Sequence, residues 1–382
     1  MDQVNRFRDS LFEGRLTRRQ ASRALAAAGV MSLTLPALSR TASAGCEGAE
    51  LTFFTWGGYD DPNFMGPYVE KYGCEPSYSL LASEPEAMSK MMAGFEPQVI
   101  YPCSGVIQTW KDAGLIVPVD VSLLSNWPDV LSSTKDIPGT VFDGERYFVP
   151  EDFGQTSVLF RSDLAPEYVD NPTWGILYDE KYKGRLGSTS LWSDNVLPAA
   201  MYLGFDPFDM SDDEVAQVGE LLRKQRELMR FYADSTTDLT QALFSGEVVA
   251  STAINSMWMR AVEQMADPAF AGEYTWMEPK EGTLNWICGL VIHPSAKENG
   301  LWEKAHAMID AMISVPSQYY ELTEWNYGVV NGKVYEMVDN EFLASIGLTR
   351  DIDAYLQNGV FLQHTDREPE LVNMWDEVMS AV

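Results

Sequence analysis

The sequence contains few of the residues from which metal and catalytic sites are built. Its 382 residues include three histidines and four cysteines, and neither set has the spacing of zinc ligands. It also lacks a glycine-rich nucleotide loop, a G-x-S-x-G nucleophile motif and an H-E-x-x-H motif. We therefore expect a protein with no cofactor, no metal centre and no enzyme activity.

Basic residues are scarce as well. Lysine and arginine together number 27, against 56 aspartates and glutamates, which gives a formal net charge of -29 at pH 7. Because so negative a chain repels nucleic acid and anionic membranes, we expect neither as a partner. The same charge favours cationic solutes, although an acidic surface alone is common in exported proteins.

Two short stretches resemble catalytic groups, but simpler roles are expected for both. Ser104, in "YPCSG", stands at a predicted helix start, and a helix cap is the better interpretation because few histidines could serve as its base. The adjacent acids Glu151 and Asp152 could form an acid/base pair in principle. Since adjacent residues usually point in different directions, we expect such pairs to be caps or surface residues.

Long hydrophobic runs are absent, and the most apolar stretch lies near the N-terminus. Residues 17–23 carry a twin-arginine pattern, residues 24–38 are mostly apolar, and residues 42–44 are small, as a signal peptidase requires. This order predicts a twin-arginine signal peptide over residues 1–44, with the ordinary secretion route left open and a buried helix as the alternative. The mature protein is then expected to begin near Gly45 and to lie in the periplasm.

Beyond residue 44 the sequence alternates between strand and helix patterns. Strands are predicted near residues 51–54, 77–81, 99–101, 157–161, 248–254 and 286–292, with helices starting after Asp61, Ser83, Ser104, Asp194 and Ser211. The last of these helices is predicted to reach about residue 232. Such alternation predicts an α/β fold with doubly wound parallel sheets and ligand sites beyond the carboxyl ends of the strands. The length suits two domains, and the lack of a linker suggests that the chain crosses between them more than once.

The cysteines are expected to pair, since an exported protein folds in an oxidising compartment. Cys46 precedes the first predicted strand and Cys74 precedes the second. If those strands are neighbours in a parallel sheet, the two sulfur atoms can meet. A Cys46–Cys74 disulfide is therefore predicted.

Aromatic residues are abundant, and several tryptophans adjoin turn residues. The chain has 11 tryptophans, among them Trp56, Trp192, Trp286 and Trp325 beside glycine, serine or asparagine. Tryptophans usually fill cores, but Trp56 is followed by two glycines that allow a ligand or a facing lobe to come close. Aromatic faces attract ammonium groups, so these positions point to a cationic ligand.

Six stretches occur in an order that resembles bacterial spermidine/putrescine-binding proteins, the extracytoplasmic solute receptors of ABC importers. They are "LTFFTWGGYDDP", "VPEDFGQTSVLFRSD", "FSGEVVASTAI", "PKEGTLNWICGLVIHPSAKENG", "WNYGVVNGK" and the signal peptide. The resemblance spans nearly the whole mature chain. It implies two lobes joined by a hinge, with residues 45–152 and 287–331 in lobe one and residues 153–286 and 332–382 in lobe two.

The resemblance also implies a ligand site between the lobes. Trp56 and Tyr59 match a family Trp and Tyr that clamp the ligand, and Trp286 matches a Trp on the strand that re-enters lobe one. Asp194 matches an acid early in lobe two, and Gln363 matches a Gln near the C-terminus. The family Ser after the third strand is replaced by Cys103, with Ser104 next in the chain. The implied partners are a small cationic amine and an inner-membrane ABC permease, and the protein is expected to be a monomer.

Two departures from the family pattern bear on the ligand. The family usually has an acid immediately before the first-motif Tyr, where this chain has Gly58, and another two residues after the re-entry Trp, where it has Cys288. Losing both acids favours a mono-cationic, quaternary or zwitterionic amine, with Asp194 or Glu151 as the single counter-charge. Cys103 and Cys288 are expected at the cleft, either as a disulfide or as small apolar lining.

Three rival functions remain at this point. The adjacent tyrosines Tyr319 and Tyr320 could bind ferric iron, but they fall in a predicted helix, where neighbouring side chains diverge. An enzyme could share the two-lobed fold, although no pair of base and nucleophile is evident. A receptor that presents its ligand to a sensor rather than to an importer is the third rival.

Overall fold

The computed structural model describes residues 46–380, and the structural statements below concern this part of the chain. The predicted signal peptide, residues 1–44, lies outside it. Within residues 46–380, no helix is both long enough and apolar enough to cross a membrane.

The strands and helices alternate along most of this part. The strands are β1 (Thr52–Thr55), β2 (Ser77–Leu80), β3 (Val99–Ile100), β4 (Val141–Phe142), β5 (Glu145–Arg146), β6 (Val149–Arg161), β7 (Leu186–Thr189), β8 (Met229–Ala233), β9 (Ala250–Ile254), β10 (Tyr274–Trp276), β11 (Thr283–Ile292), β12 (Gly328–Val329) and β13 (Gly359–Phe361). The α-helices are α1 (Gly66–Tyr72), α2 (Glu84–Met92), α3 (Ile107–Asp112), α4 (Ser132–Lys135), α5 (Glu167–Asp170), α6 (Ser193–Leu203), α7 (Asp212–Leu228), α8 (Thr236–Phe244), α9 (Asn255–Met265), α10 (Ser295–Glu298), α11 (Trp302–Met312), α12 (Val315–Tyr320), α13 (Asn340–Ser345), α14 (Ile352–Gln357) and α15 (Glu368–Ser380). Short 3₁₀ turns connect several of these elements, and a π-helical turn, Glu321–Trp325, follows α12.

The main sheet has the strand order β2-β1-β3-β11-β6-β9-β7-β8. Strands β10 and β12 pair with β6, strand β13 pairs with β11, and β4 and β5 form a separate hairpin. The outer parts are parallel, as predicted, because β1 pairs in parallel with β2 and β3, and β7 with β8 and β9. The centre differs from the prediction, since β11 is antiparallel to β3 and to β6, and β6 is antiparallel to β9.

The two long central strands, β6 and β11, hold the halves of the sheet together. The first part of β6 pairs with β11 and β12, and its last part pairs with β9 and β10. One hydrophobic core surrounds β1, β3 and the end of β11, with Phe53, Ile100 and Val291 fully buried. Further cores lie at the other end of β6, around Phe160 and Leu239. The sheet thus has two packed halves with a continuous pair of strands between them.

Several predicted helix starts are confirmed. The Ser83 side chain accepts a hydrogen bond from the Glu86 N–H at the start of α2, as an N-cap does. Asp61 caps a 3₁₀ turn, Pro62–Phe64, and α1 begins only at Gly66, later than predicted. Ser211 and Glu214 form a complete capping box at the start of α7. This helix ends at Leu228, earlier than predicted, because residues Met229–Ala233 leave it to pair with β7 as β8.

Ser104 is not the helix cap that was expected. Its hydroxyl donates to the carbonyl oxygen of Leu362 at 2.7 Å, and the residue begins a 3₁₀ turn, Ser104–Val106, that precedes α3. The side chain therefore joins the loop after β3 to the segment after β13.

The cysteines are all oxidised in the described part of the chain. Cys103 and Cys288 form a disulfide that links the loop after β3 to β11, which decides between the two roles considered for them. Cys46 and Cys74 are disulfide-bonded too, and none of the four is a free thiol. The direct pairing of Cys46 with Cys74 stays a prediction.

Candidate functional site

Three carboxylates lie together inside the protein, where β6 meets the π-helical turn. Glu151, Asp152 and Glu321 are 0%, 2% and 0% exposed, and each offers an oxygen within 4.8 Å of the others. We call these three residues the acidic cluster. Among the described residues, no lysine, arginine or histidine forms an ion pair with it.

A β-bulge explains why two adjacent acids enter the same cluster. Along β6, Asp152 pairs with Cys288 and Pro150 pairs with Gly289, so Glu151 is the extra residue between two consecutive pairs. A bulge interrupts the alternation of side chains across a strand. The expectation that Glu151 and Asp152 would serve as caps or surface residues was therefore wrong.

Hydroxyl and amide groups donate hydrogen bonds to the acidic cluster. Tyr101 donates to Oε2 of Glu151, and Tyr59 donates to Oδ2 of Asp152. Nε2 of Gln318 donates to Oε1 of Glu151 at 2.8 Å. These donors leave one oxygen without a partner, since Oδ1 of Asp152 is buried and makes no hydrogen bond.

Burial raises the pKa of all three carboxyl groups. The pKa of Asp152 rises to about 6, against the lowering effect of the hydrogen bond from Tyr59. The pKa of Glu151 rises to about 8 through burial and the nearby charge of Asp152. For the same reasons the pKa of Glu321 lies well above its usual value. We therefore expect the cluster to keep at least one proton near neutral pH.

The acidic cluster predicts that the folded protein loses stability as the pH rises. A carboxyl whose pKa is higher in the folded state binds more protons there, so its contribution is greatest below the unfolded pKa. For Glu151 the contribution is lost between an ordinary pKa of 4.5 and a folded pKa of about 8. Denaturant unfolding at pH 5 to 8 should show that the free energy of unfolding decreases as the pH rises. Each pKa unit between the folded and unfolded states corresponds to about 1.4 kcal/mol.

A matched pair of variants separates this effect from the general charge of the protein. Glu321→Gln removes one member of the acidic cluster and should flatten the pH dependence. Asp310→Asn changes an acid that lies near Ser125 and Asn126, away from the cluster, and should leave the slope as it is. Equal slopes in the two variants would show that the cluster does not titrate in this range.

Four aromatic rings lead from the acidic cluster to β11. The ring of Tyr59 lies 4.8 Å from that of Trp325, Trp325 lies 6.2 Å from Tyr327, and Tyr327 lies 5.6 Å from Trp286, all between centroids. We call them the aromatic row. Trp325 ends the π-helical turn that begins with Glu321, and π-helical turns occur frequently at functional sites. One turn thus supplies a carboxylate of the acidic cluster and a ring of the row.

Trp286 lies across β6 at a position where only glycine fits. Trp286 and Gly154 are directly opposite on β11 and β6, and a Cβ on Gly154 would overlap the indole. Because side chains alternate along a strand, Asp152, Gly154 and Thr156 share one face of β6. The indole of Trp286 therefore lies between Asp152 and Thr156.

Asp194 stands at the Thr156 end of this face. Its Oδ2 accepts a hydrogen bond from the Thr189 hydroxyl at 2.8 Å, and the Thr156 side chain lies near the carboxylate. Burial raises the pKa of Asp194 to about 6, against the lowering effect of Thr189 and Thr156. Asp194 lies in the first turn of α6, where the helix dipole favours a negative charge. The face of β6 thus has an acid near each end and an indole between them.

The position of Gly58 explains one departure from the family pattern. Gly58 has a φ of 106°, and a Cβ there would lie 2.5 Å from Cη2 of Trp325. An aspartate or glutamate would be strained at this φ and would displace the tryptophan. The ring of Trp325 occupies the space that an acid at position 58 would need.

The remaining predicted residues lie at different places around this site. Trp56 is half-buried and packs against the first core, just before the turn that contains Gly58. The hydroxyl of Tyr59 points into the acidic cluster, so its ring is the part that faces the aromatic row. Gln363 is half-buried and follows Leu362, which the hydroxyl of Ser104 contacts. Cys288 is 9% exposed and its sulfur is bonded to Cys103.

Sequence reasoning missed several residues of the site. No sequence pattern assigns Tyr101, Gln318 or Glu321 to the site, and the pattern around Asp152 predicts an acid at the surface. Trp325 and Tyr327 are indicated only by the motif "WNYGVVNGK" and by the turn residues beside them. The order of that motif was the available signal for the two aromatic residues.

The adjacent tyrosines considered for iron do not converge. Both lie in α12, as predicted, where Tyr319 is 38% exposed and the hydroxyl of Tyr320 donates to Asp61 at 2.8 Å. Their side chains therefore have different surroundings.

The chain belongs to the family of bacterial extracellular solute-binding proteins. The family model matches residues 81–345, which is more than half of the chain. The resemblance found in the sequence motifs agrees with this result. Members of this family are solute-binding proteins and not enzymes, as expected for this chain.

Solved structures of binding proteins share the fold. A spermidine/putrescine ABC transporter substrate-binding protein, PotD from Streptococcus pneumoniae, matches with a TM-score of 0.69 and 15% identity over 86% of this chain and 97% of its own. A putative spermidine/putrescine ABC transporter from Listeria monocytogenes matches with a TM-score of 0.66 and 18% identity, over 86% and 97%. A GABA receptor matches with a TM-score of 0.64 and 14% identity, over 87% and 98%. The predicted two-lobed α/β fold is confirmed.

Proposed function

We propose that this protein captures a small cationic amine of the polyamine class between two lobes and delivers it to an ABC permease in the inner membrane. The lobes are those predicted above, with residues 45–152 and 287–331 in one and residues 153–286 and 332–382 in the other. Residues 1–44 direct export to the periplasm and are removed. The receptor acts as a monomer, and the permease recognises its closed form.

The arrangement on one face of β6 is the main support for this proposal. Trp286 lies over Gly154, with Asp152 at one end of the face and Asp194, through Thr156, at the other. Thr156 lies four residues after Asp152 along the strand, a distance of roughly 13 Å at about 3.3 Å per residue. An extended chain of methylenes with cationic nitrogens matches this order of acid, indole and acid.

The chemistry of the site favours positive over negative ligand groups. Indole and phenol faces attract an ammonium group by about 0.5–2 kcal/mol each, depending on desolvation. The residues of the acidic cluster, the aromatic row and the Asp194 end include no lysine, arginine or histidine. A carboxylate on the ligand would lie in this site without a cationic partner, so a zwitterion such as GABA is expected to bind less well than a diamine.

A mono-cationic or quaternary amine is the alternative ligand, and two observations favour it. Trp325 fills the space beside Gly58, and Cys288 is held in a disulfide, so neither family position carries an acid. Asp194 would then be the single counter-charge. Glu151 is fully buried and already accepts hydrogen bonds from Tyr101 and Gln318, so it is the weaker of the two candidates.

Thermal unfolding in the presence of candidate ligands tests the proposed function. Butane-1,4-diamine, spermidine, butylamine, choline and 4-aminobutanoate cover doubly charged, singly charged, quaternary and zwitterionic amines. A true ligand at a hundred times its dissociation constant should stabilise the protein by about 2.7 kcal/mol. No shift with any amine, or a shift with 4-aminobutanoate alone, would contradict the proposal.

A further inference from the structure

We infer that Asp152 is the second ligand-binding carboxylate of this receptor and makes it selective for amines with two or more positive charges. This inference rests on the proposed function and specifies the ligand of the same site. It assigns the role of the acid missing at Cys288 to a residue on the neighbouring strand.

The pairing of the strands places Asp152 where such an acid is needed. Asp152 and Cys288 are directly opposite on β6 and β11, so their side chains leave the sheet on the same face. The Cβ atoms of opposite residues are about 5 Å apart, which is within the reach of an aspartate side chain. The carboxylate of Asp152 can therefore reach nearly the same part of the site as a carboxylate at position 288 would.

The hydrogen bonds of Asp152 leave it one free acceptor. Tyr59 donates to Oδ2, and Tyr101, the Cys288 N–H and Glu321 lie close to the carboxylate, yet none of them is at hydrogen-bond distance from the buried Oδ1. A buried acceptor without a hydrogen bond costs about 1–3 kcal/mol, and more when it is charged. An ammonium group supplies both the missing donor and the missing positive charge.

The groups around Asp152 in the described part of the chain are acids and neutral phenols, and none is positively charged. Glu151 and Glu321 face it from β6 and the π-helical turn, and Tyr59 and Tyr101 face it from the segments after β1 and β3. Both tyrosines are buried beside carboxylates, which holds their pKa values well above 10 and keeps them neutral. Burial raises the pKa of all three acids, so they are not all ionised at neutral pH.

Two rings of the aromatic row lie beside Asp152 at its end of the face of β6. Burial and the negative charges of Asp152 and Glu321 raise the pKa of Tyr327 to about 12, so this phenol is within electrostatic reach of the acidic cluster. Tyr327 and Trp286 are half-buried and follow each other in the row. Because Asp152 is 2% exposed, the inference requires Tyr327 or Trp286 to move when a ligand reaches Oδ1.

Calorimetric titration of Asp152→Asn with butane-1,4-diamine and with butylamine tests the inference. The two ligands have the same carbon chain and differ by one ammonium group. The variant should bind the diamine about 30-fold or more weakly, as expected when one partner of a buried charge pair is removed, and should bind butylamine within about threefold of the wild type. Asparagine has the shape of aspartate and removes one of three crowded acids, so the variant is expected to fold.

Two further variants and a calcium competition distinguish this inference from its alternatives. Asp310→Asn, which lies away from the site, should bind both amines as the wild type does. Tyr59→Phe keeps the ring but removes the hydrogen-bond donor to Oδ2 of Asp152. It should weaken the binding of the diamine more than the binding of butylamine. Equal losses for both amines, or no loss for either, would overturn the inference while leaving amine binding by the receptor intact. Diamine binding by the wild type that is abolished by added calcium would assign the acidic cluster to a metal ion and also overturn it. A wild type that binds neither amine would contradict the proposed function itself.

Discussion

Asp194→Asn is expected to weaken the binding of every amine ligand by about 30-fold or more. Asp194 is 7% exposed, lies in the first turn of α6 and is oriented by the Thr189 hydroxyl. Removing one partner of a desolvated, hydrogen-bonded charge pair costs about 2–5 kcal/mol, and about 1.4 kcal/mol is a tenfold change in affinity. Calorimetric titration with butylamine and butane-1,4-diamine measures the change.

The effect should differ from that of Asp152→Asn in a defined way. Asp194 is the counter-charge in both ligand models, so singly and doubly charged amines should lose similar affinity. Asp206→Asn is a suitable control, because Asp206 is exposed and accepts a hydrogen bond from the Phe208 N–H in a turn after the same helix. Wild-type affinity in Asp194→Asn would show that the ligand lies elsewhere.

Removal of the Cys103–Cys288 disulfide is expected to lower the free energy of unfolding by about 5 kcal/mol. The two residues are 185 positions apart in the chain. In the chain-entropy treatment, a cross-link over so long a loop removes much of the freedom of the unfolded chain, which gives about this value. Denaturant unfolding of the Cys103→Ala/Cys288→Ala double variant measures the loss.

The double variant also tests what the disulfide does for the site. Cys288 is opposite Asp152, so the bond fixes β11 beside the acidic cluster. Single variants would leave a free thiol, which makes the double variant the cleaner comparison. An unfolding free energy within about 1 kcal/mol of the wild type would show that the strands hold this region without the bond.

Local sequence patterns predicted much of the fold. Capping residues located the helix starts at Ser83 and Ser211, and alternating elements predicted the α/β class. The antiparallel pairing of β6 and β11 was missed because no local pattern records which strands become neighbours. The end of α7 was placed too late because pairing with β7 draws residues 229–233 out of a helical pattern.

The site was predicted in part, and the part that was missed depends on distant residues. Trp286 and Asp194 were assigned through family resemblance, and both lie along one face of β6. The acidic cluster brings Asp152 together with Glu321, which is far away in the sequence. It also depends on a β-bulge for which the sequence gives no signal. Residue spacing alone therefore predicted surface acids where the fold has buried ones.

A crystal structure of the protein with butane-1,4-diamine or spermidine would test the central claim most directly. The account predicts one cationic nitrogen at the Asp194 carboxylate, another at Oδ1 of Asp152, and the methylenes between them against the indole of Trp286. A ligand that lies away from Trp286, or one that contacts neither aspartate, would contradict it.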